Sequence, residues 1–349
     1  MKDVLLVGFG IAGMCVAKEL ENRSKTFDII SDESQQSSRV AGGVLNPVVL
    51  KRYNLAWNAE SFMPVAIEFY KQFNLEAEIS VFDQIPVLKL FSSVEDQNNW
   101  IVASDKPKLS PFMNPKIITP EWSVEGDFKA AEVLQTHLLN VKDVLDKQVD
   151  NYSASHQFLA ATFYHHQIEF KKNTLTYQGR TYRNVIFCEG FGVSSNPFFN
   201  WLPIYGNKGE YLIFKAKELK TNNSILKSRH FIIPMGDDIY KFGATYSRGS
   251  LNDTPTVDAH DALVKQLSKL LGCDFEVIDQ MAGVRPTVRD RKPILGKHPE
   301  YDRLYILNGF GSRGVMAAPS LSKQLLDLIF ESKPPEAEFR LDRFLKYYA

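Results

Sequence analysis

The sequence predicts an α/β protein, α+β taken as a whole, with a parallel sheet in one domain and a mainly antiparallel sheet in a second. Three observations predict it. Residues 4–7 are a short continuous apolar run bounded by Gly8, the pattern of a parallel strand covered on both faces. A helical spacing of apolar residues over 11–22 and a second apolar run at 27–30 follow, which completes the opening of a βαβ unit. Much later, residues 210–215, 230–233 and 239–245 form strand-like runs at hairpin spacing, which implies antiparallel pairing. A chain of 349 residues exceeds one simple core, so two domains or one interleaved pair are expected.

The intervening elements follow in order. Residues 34–38 are Ser/Gln-rich and, with 39–43, read as a loop. Residues 57–73 read as an amphipathic helix. Residues 79–119 hold short β-like runs broken by Pro86, Pro107, Pro111 and Pro115. Apolar residues at helical spacing, among them Val133, Leu134, Leu138, Val141 and Leu145, predict a helix over 128–149. Residues 175–188 read as two strands around the Gln178-Gly179 turn, and 257–271 as a helix stopped by Gly272. A buried strand at 304–307 and a helix at 315–330, with Pro334 and Pro335 beyond it, close the chain.

Bulk properties exclude several classes. Hydrophobic residues make up 44% and charged residues 23%, an ordinary globular composition and not a disordered one. The formal net charge of zero provides no chain-wide basic field for nucleic acid. Cys15, Cys188 and Cys273 are odd in number and scattered among apolar residues, so buried free thiols and a reducing cytoplasm are expected in place of a disulfide framework. No apolar run approaches the ~20 residues of a membrane span, and the N-terminal run reads as a strand, not a signal peptide. His165 and His166 lack a third ligand at suitable spacing, so no metal is expected.

Between the first strand and helix stands Gly8-Phe9-Gly10-Ile11-Ala12-Gly13. The first glycine permits a tight turn, the second lets backbone approach a pyrophosphate, and the third lets helix and strand pack closely. The helix N-terminus adds N–H donors. Asp32 lies nineteen residues after Gly13, where a carboxylate can accept both ribose hydroxyls of an adenosine, with Glu33 the neighbouring candidate. This predicts a Rossmann-type dinucleotide site but does not separate FAD from NAD. The far end does. Residues 308–319 (Asn-Gly-Phe-Gly-Ser-Arg-Gly-Val-Met-Ala-Ala-Pro) form a second glycine-rich turn that opens a second helix. A helix N-terminus there suits the negative charge that a reduced flavin gains.

On these residues the chain resembles the D-amino acid oxidase superfamily of FAD-dependent oxidoreductases. The resemblance rests on the opening glycine motif, the Ser38-Arg39-Val40-Ala41-Gly42-Gly43 loop, residues 185–190, Arg285-Pro286 with the Pro293–Gly296 segment, and the closing turn. It spans nearly the whole chain. Two relatives look nearest: glycine oxidase, through the Arg-Pro segment, residues 297–300 and Arg313, and the oxidoreductase half of the bifunctional enzyme that builds 5-methylaminomethyl-2-thiouridine in tRNA, through residues 43–47, 242–249 and 311–319. The resemblance implies non-covalent FAD, since no His lies near residues 34–43 and no Cys in the closing turn. It implies FAD contacts at Gly8, Gly10, Ile11, Ala12, Gly13, Ser31, Asp32, Glu33, Ser38, Arg39, Ala41, Gly42, Gly43, Cys188, Glu189, Gly190, Gly309, Gly311, Ser312, Arg313, Gly314 and Val315.

Arg285 is the expected carboxylate anchor, because a guanidinium grips carboxylate with two parallel hydrogen bonds; a structural arginine paired to Asp290 or a carbonyl is the alternative. Arg313 and Asn46 are further substrate-side candidates. Phe231 stands where glycine oxidase has a tyrosine, so a substrate-binding phenol is sought at Tyr211, Tyr240 or Tyr246, with Tyr246 as the selected site residue. Arg289 and Arg291 read as solvent-facing. The FAD-binding domain is expected over 1–60, 125–200 and 283–349, and the substrate domain over 61–124 and 201–282. The implied reaction is oxidation of the C–N bond of a small amino acid or N-substituted glycine by hydride transfer to the flavin, giving an imine that hydrolyses. The alternatives are a tRNA-modifying enzyme, disfavoured by zero net charge, an NAD oxidoreductase, disfavoured by the closing turn, and a flavoprotein that binds without catalysis.

Overall fold

The computed structural model describes residues 1–75, 80–119, 122–125, 129–221 and 223–348. An eight-stranded sheet carries the opening motif. Its parallel strands run in the order Phe158–Ala160, Phe27–Ser31, Lys2–Val7, Arg180–Phe187 and Leu304–Asn308. Antiparallel strands Leu175–Tyr177, Glu169–Phe170 and Ile294–Lys297 extend it. Val4, Leu5, Leu6, Val185, Ile186, Phe187, Leu304 and Ile306 are fully buried, as the continuous apolar runs require of strands covered on both faces. Helices Ile11–Asn22, Ala59–Asn74, Val141–Ala154 and Gly314–Glu331 share the largest apolar cluster with one face of the sheet.

A seven-stranded sheet stands apart from it. Its order is Glu276–Val288, Ile204–Lys215, Ile239–Gly243, Phe231–Gly236, Ile225–Lys227, Val87–Leu90 and Ala130–Val133. Every pairing is antiparallel except that of Ile225–Lys227 with Val87–Leu90. Helix Val257–Ser268, capped by the Thr256 hydroxyl, buries Leu263 and Leu267 against one face. The other face, which carries Asn207, Gly209, Tyr211, Phe231, Ile233, Gly283 and Arg285, looks onto a cavity above the first sheet.

The expected helix over 128–149 is corrected. Ala130–Val133 joins the seven-stranded sheet, His137–Leu139 pairs with Val44–Leu45 and Phe82–Gln84, and the helix begins only at Val141, capped by Asn140. Val133 is buried in one strand and Leu138 half-buried in the next, so their helical spacing is incidental. The strand at 130–133 falls within the expected 125–200 segment of the first domain, yet pairs in the second sheet. Residues 79 and 128, where two expected segments begin, lie outside the described residues.

Candidate active site

The parallel strands end together. Gly8, Ser31-Asp32, Cys188-Glu189 and Asn308-Gly309 follow the carboxyl ends of four neighbouring strands, the position where open α/β sheets receive ligands. A cavity of about 1150 Å³ opens there. That exceeds the ~300–1,000 Å³ of ordinary small-ligand sites and suits an extended cofactor with a substrate beside it.

The glycine turn is built for close approach. A Cβ on Gly13 would stand 2.1 Å from the Gly8 carbonyl oxygen, so helix and strand can meet only at glycine. Gly8 has φ +89° and lies against the Cys188 carbonyl. Ile11 N–H donates to Ser38 Oγ (3.0 Å), which ties the turn to the 34–43 loop. Among the described residues the N–H groups of Gly10 and Ala12 have no hydrogen-bond partner. At the second helix the same holds for Ser312, Gly314, Val315 and Met316. Orphan donors at two helix N-termini facing one cavity fit a diphosphate at one and the electron-rich edge of a flavin at the other.

Asp32 lines the cavity just past the second parallel strand. Burial pushes its pKa up, but hydrogen bonds from the Ser34 hydroxyl (2.5 Å) and Ser34 N–H (3.1 Å), together with Thr162, outweigh that and hold it below the usual carboxylate value. An ionised carboxylate is what two ribose hydroxyls need as acceptor. Glu189 is held by His165 Nε2 (2.9 Å) and Asn196 Nδ2 (2.6 Å), and Asn308 Nδ2 donates to the Gly190 carbonyl (2.8 Å). Arg39 pairs with Asp146. Cys188 lines the cavity, but burial, with Glu189 and Cys15 nearby, pushes its thiol far above the ordinary range, so it stays protonated and a poor nucleophile.

On the opposite wall, Arg285 lies across Gly209, where a Cβ would stand 2.1 Å from Nη2. Its Nη1 donates to Asn207 Oδ1 (3.2 Å) and the Thr245 carbonyl (3.4 Å). Asp290 is elsewhere, bound to Arg343 (3.0 Å). Among the described residues Arg285 has no carboxylate partner, so the guanidinium is oriented by neutral acceptors and keeps its charge for a ligand. Tyr211 stands beside it; burial raises the phenol pKa against the lowering effect of Arg285. Burial and Arg291 lower the pKa of Arg313, which caps the closing helix at the cavity wall.

Of the residues expected from sequence, the cavity wall includes Gly8, Gly10, Ile11, Ala12, Ser31, Asp32, Glu33, Ser38, Arg39, Ala41, Gly42, Gly43, Asn46, Cys188, Glu189, Gly190, Arg285, Gly311, Ser312, Arg313, Gly314 and Val315. Gly13 and Gly309 shape the two turns from behind and do not line it. Asn46 also accepts from Val48 N–H (2.8 Å), the turn role weighed for it. Tyr246 is corrected: it is 64% exposed and lies off the cavity, while Tyr240 is fully buried in the core of the other face. The phenol at the wall is Tyr211. Sequence reasoning missed Asn207, whose contact with Arg285 depends on strand register; Lys227, the end of a Lys/Arg stretch at 215–227 weighed for tRNA, lines the cavity as well. Among the described residues no cluster of His, Cys, Asp and Glu could hold a metal, and no helix is long and apolar enough to cross a membrane.

Two glycine turns, two free helix N-termini and an ionised carboxylate around one cavity are what a flavin-dependent oxidoreductase requires. The family model for FAD dependent oxidoreductases (DAO) matches residues 3–328, and the chain belongs to that family. FAD is its cofactor. The chain is 22% identical to a glycine oxidase of Pseudomonas aeruginosa over 357 residues, 95% of each chain. It is 24% identical to the tRNA 5-methylaminomethyl-2-thiouridine biosynthesis bifunctional protein MnmC of Campylobacter concisus over 312 residues, 84% of this chain and 46% of that one. The crystal structure of glycine oxidase from Bacillus cereus shares the fold, with a TM-score of 0.75 at 16% identity over 95% of this chain and 96% of the other.

Proposed function

We propose that the chain oxidises the C–N bond of a small amino acid or N-substituted glycine in the cytoplasm, with Arg285 as carboxylate anchor and FAD held non-covalently. The observation that carries this reading is Arg285 itself: a cation in the cavity wall, fixed by Asn207 and Thr245 and left without a carboxylate among the described residues. In this reading Gly10 and Ala12 N–H groups bind the diphosphate, Asp32 the ribose, and the N–H groups of Ser312 to Met316 the electron-rich edge of the flavin. The two discontinuous segments sets, 1–60 with 125–200 and 283–349, and 61–124 with 201–282, serve as cofactor and substrate domains. Among them, 130–133 and 283–288 belong by pairing with the substrate sheet.

When bound, FAD supplies a hydride acceptor. The chain's residues bind and orient. Arg285 grips the substrate carboxylate, Tyr211 beside it narrows the space around the amine, and the seven-stranded sheet excludes water from the reacting bond. No side-chain base is required of an amine that enters neutral, so rate acceleration comes from positioning. Among cavity residues, Cys188 is kept as a thiol and His165 is engaged by Glu189, which supports non-covalent binding.

The test is an anaerobic screen in which amino acids and N-substituted glycines are added to the yellow protein and flavin absorbance is followed. At least one should bleach it. Arg285→Ala should lower kcat/KM by a factor of about 30 to several thousand, the ~2–5 kcal/mol lost when one partner of a buried charge pair is removed. Its FAD content should match the wild type. The likeness to part of MnmC favours a second reading, in which the oxidised group is carried on tRNA. Bleaching by a carboxymethylaminomethyl-modified tRNA and by no free amino acid would select it.

A further inference from the structure

The cavity face of the seven-stranded sheet holds a second cation that the reading above does not use. Lys227 ends the Ile225–Lys227 strand and lines the cavity. It pairs in register with Phe231 on one side and Lys89 on the other. Lys89 is matched by Asp96, whose Oδ2 lies 2.8 Å from its Nζ and which also binds Tyr53 and Ser92. Lys227 has no such partner among the described residues. Its Nζ donates to the Arg229 carbonyl (2.5 Å) and sits 4.7 Å over the Phe231 ring. Burial, then Lys89, lower its pKa to about 8, so the site carries its charge at a cost that an incoming anion would offset.

The distribution of carboxylates around the cavity sharpens this. Asp32 and Glu33 stand at the adenosine end, and Glu189 is held by His165 and Asn196. Elsewhere the wall carries Arg285, Arg313, Lys227 and Lys51, with Arg39 paired to Asp146. The two ends of the substrate space are far apart. Arg285 and Lys227 lie on strands four spacings apart, roughly 19 Å at the usual ~4.8 Å, and the Lys227 row meets Met281, four residues or ~13 Å along the strand from Arg285, so their Cα atoms are about 23 Å apart. A carboxylate gripped by Arg285 therefore leaves Lys227 unanswered, and free glycine reaches only one of them.

We propose that Lys227 is a second anion-binding position of the substrate cavity, so that the favoured substrate is a glycine whose N-substituent ends in a carboxylate or phosphate. This rests on the Arg285 reading. Phe231 suits the apolar stretch between the two anions, since its strand is the next one from that of Lys227 towards Arg285 and its ring lies 4.7 Å from the Lys227 ammonium. Lys227 selects among substrates, and the reacting bond stays at the Arg285 end.

The experiment has two arms. In the first, N-alkylglycines and N-(ω-carboxyalkyl)- and N-(ω-phosphonooxyalkyl)glycines of rising chain length are compared by anaerobic bleaching of the holoenzyme. At the best length the anionic tail should raise kcat/KM by about tenfold over the neutral tail, the effect of one charge-assisted hydrogen bond. Lys227→Met should remove that gain while leaving neutral-tailed substrates within twofold, and Lys227→Arg should keep most of it. The carboxylate and phosphate tails distinguish which anion the site takes. In the second arm, unreactive monocarboxylates and α,ω-dicarboxylates are titrated against the flavin spectrum. Dicarboxylates of the right length should bind more tightly than monocarboxylates to the wild type and equally to Lys227→Met. This arm reads Lys227 even if no glycine derivative is oxidised, an outcome that would count against the proposed reaction alone. Equal binding of both ligand sets by the wild type, or a tail effect that survives in Lys227→Met, overturns the second anion position.

Discussion

Replacing Asn207 with aspartate isolates what the neutral partner of Arg285 does. Asn207 is buried, its Oδ1 accepts from Arg285 Nη1 at 3.2 Å, and its Nδ2 donates to the Ser247 carbonyl at 3.2 Å. Asparagine and aspartate have nearly the same shape, so Asn207→Asp changes charge more than packing. The new carboxylate would occupy the guanidinium permanently and would repel an incoming substrate carboxylate. Taking the two anions as about 6 Å apart and an effective dielectric of about 20, the repulsion is ~3 kcal/mol, or roughly a hundredfold in affinity. Asn207→Ala, by contrast, removes its bonds to Arg285 and Ser247 but leaves the guanidinium charge free; the lost bond that orients Arg285, worth ~1 kcal/mol, should cost about fivefold in carboxylate affinity. The assay is titration of a benzoate-like carboxylate against the flavin spectrum, followed by KM and kcat for an oxidised amino acid. Asn207→Asp should raise Kd and KM far more than it lowers kcat, with FAD content unchanged. If the aspartate variant binds carboxylates like the wild type, or no worse than the alanine variant, Arg285 is a structural arginine.

Three other outcomes follow from the same geometry. Gly13→Ala should yield little folded holoenzyme, because the added Cβ would stand 2.1 Å from the backbone oxygen of Gly8; yield and FAD content of the purified protein check it. Asp32→Ala should weaken FAD binding with little change in apoprotein melting temperature, measured by flavin release on dilution, since its carboxylate is held ionised by local bonds to Ser34 and Thr162. Burial lowers the pKa of Lys241 to about 8 from an ordinary 10.5, so below pH 8 the folded state bears a charged amine that the unfolded chain carries more cheaply. Lys241→Met should therefore stabilise the FAD-saturated protein at pH 7, by up to about 3 kcal/mol at 1.36 kcal/mol per pKa unit. The wild type gains stability as pH rises from 8 to 10.5, so the advantage should fade across that window; a Tm difference flat from pH 7 to 10.5 would contradict it.

What the sequence determined by itself was local in origin. The Gly8–Gly13 turn, its strand and its helix are contiguous, and each glycine's reason lies within a few residues of it, so spacing alone located the turn that opens onto the cavity. Asp32 and the 308–319 turn were legible for the same reason: each sits at a strand end marked by an apolar run. The helix predicted over 128–149 failed because apolar residues three and four apart arise equally from two short buried strands, and only pairing of Ala130–Val133 with Val87–Leu90 and of His137–Leu139 with Val44–Leu45 decides between them. Choosing Tyr211 over Tyr240 and Tyr246 was likewise tertiary. Tyr211 and Tyr240 lie on paired strands but on opposite faces, and a one-residue change of register exchanges those faces. Asn207 meets Arg285 across 78 positions of chain through the register of Ile204–Lys215 with Glu276–Val288, and Lys227 stands unmatched only because Asp96 pairs with Lys89. Those charges meet, or fail to meet, in space, and no spacing along the chain encodes that.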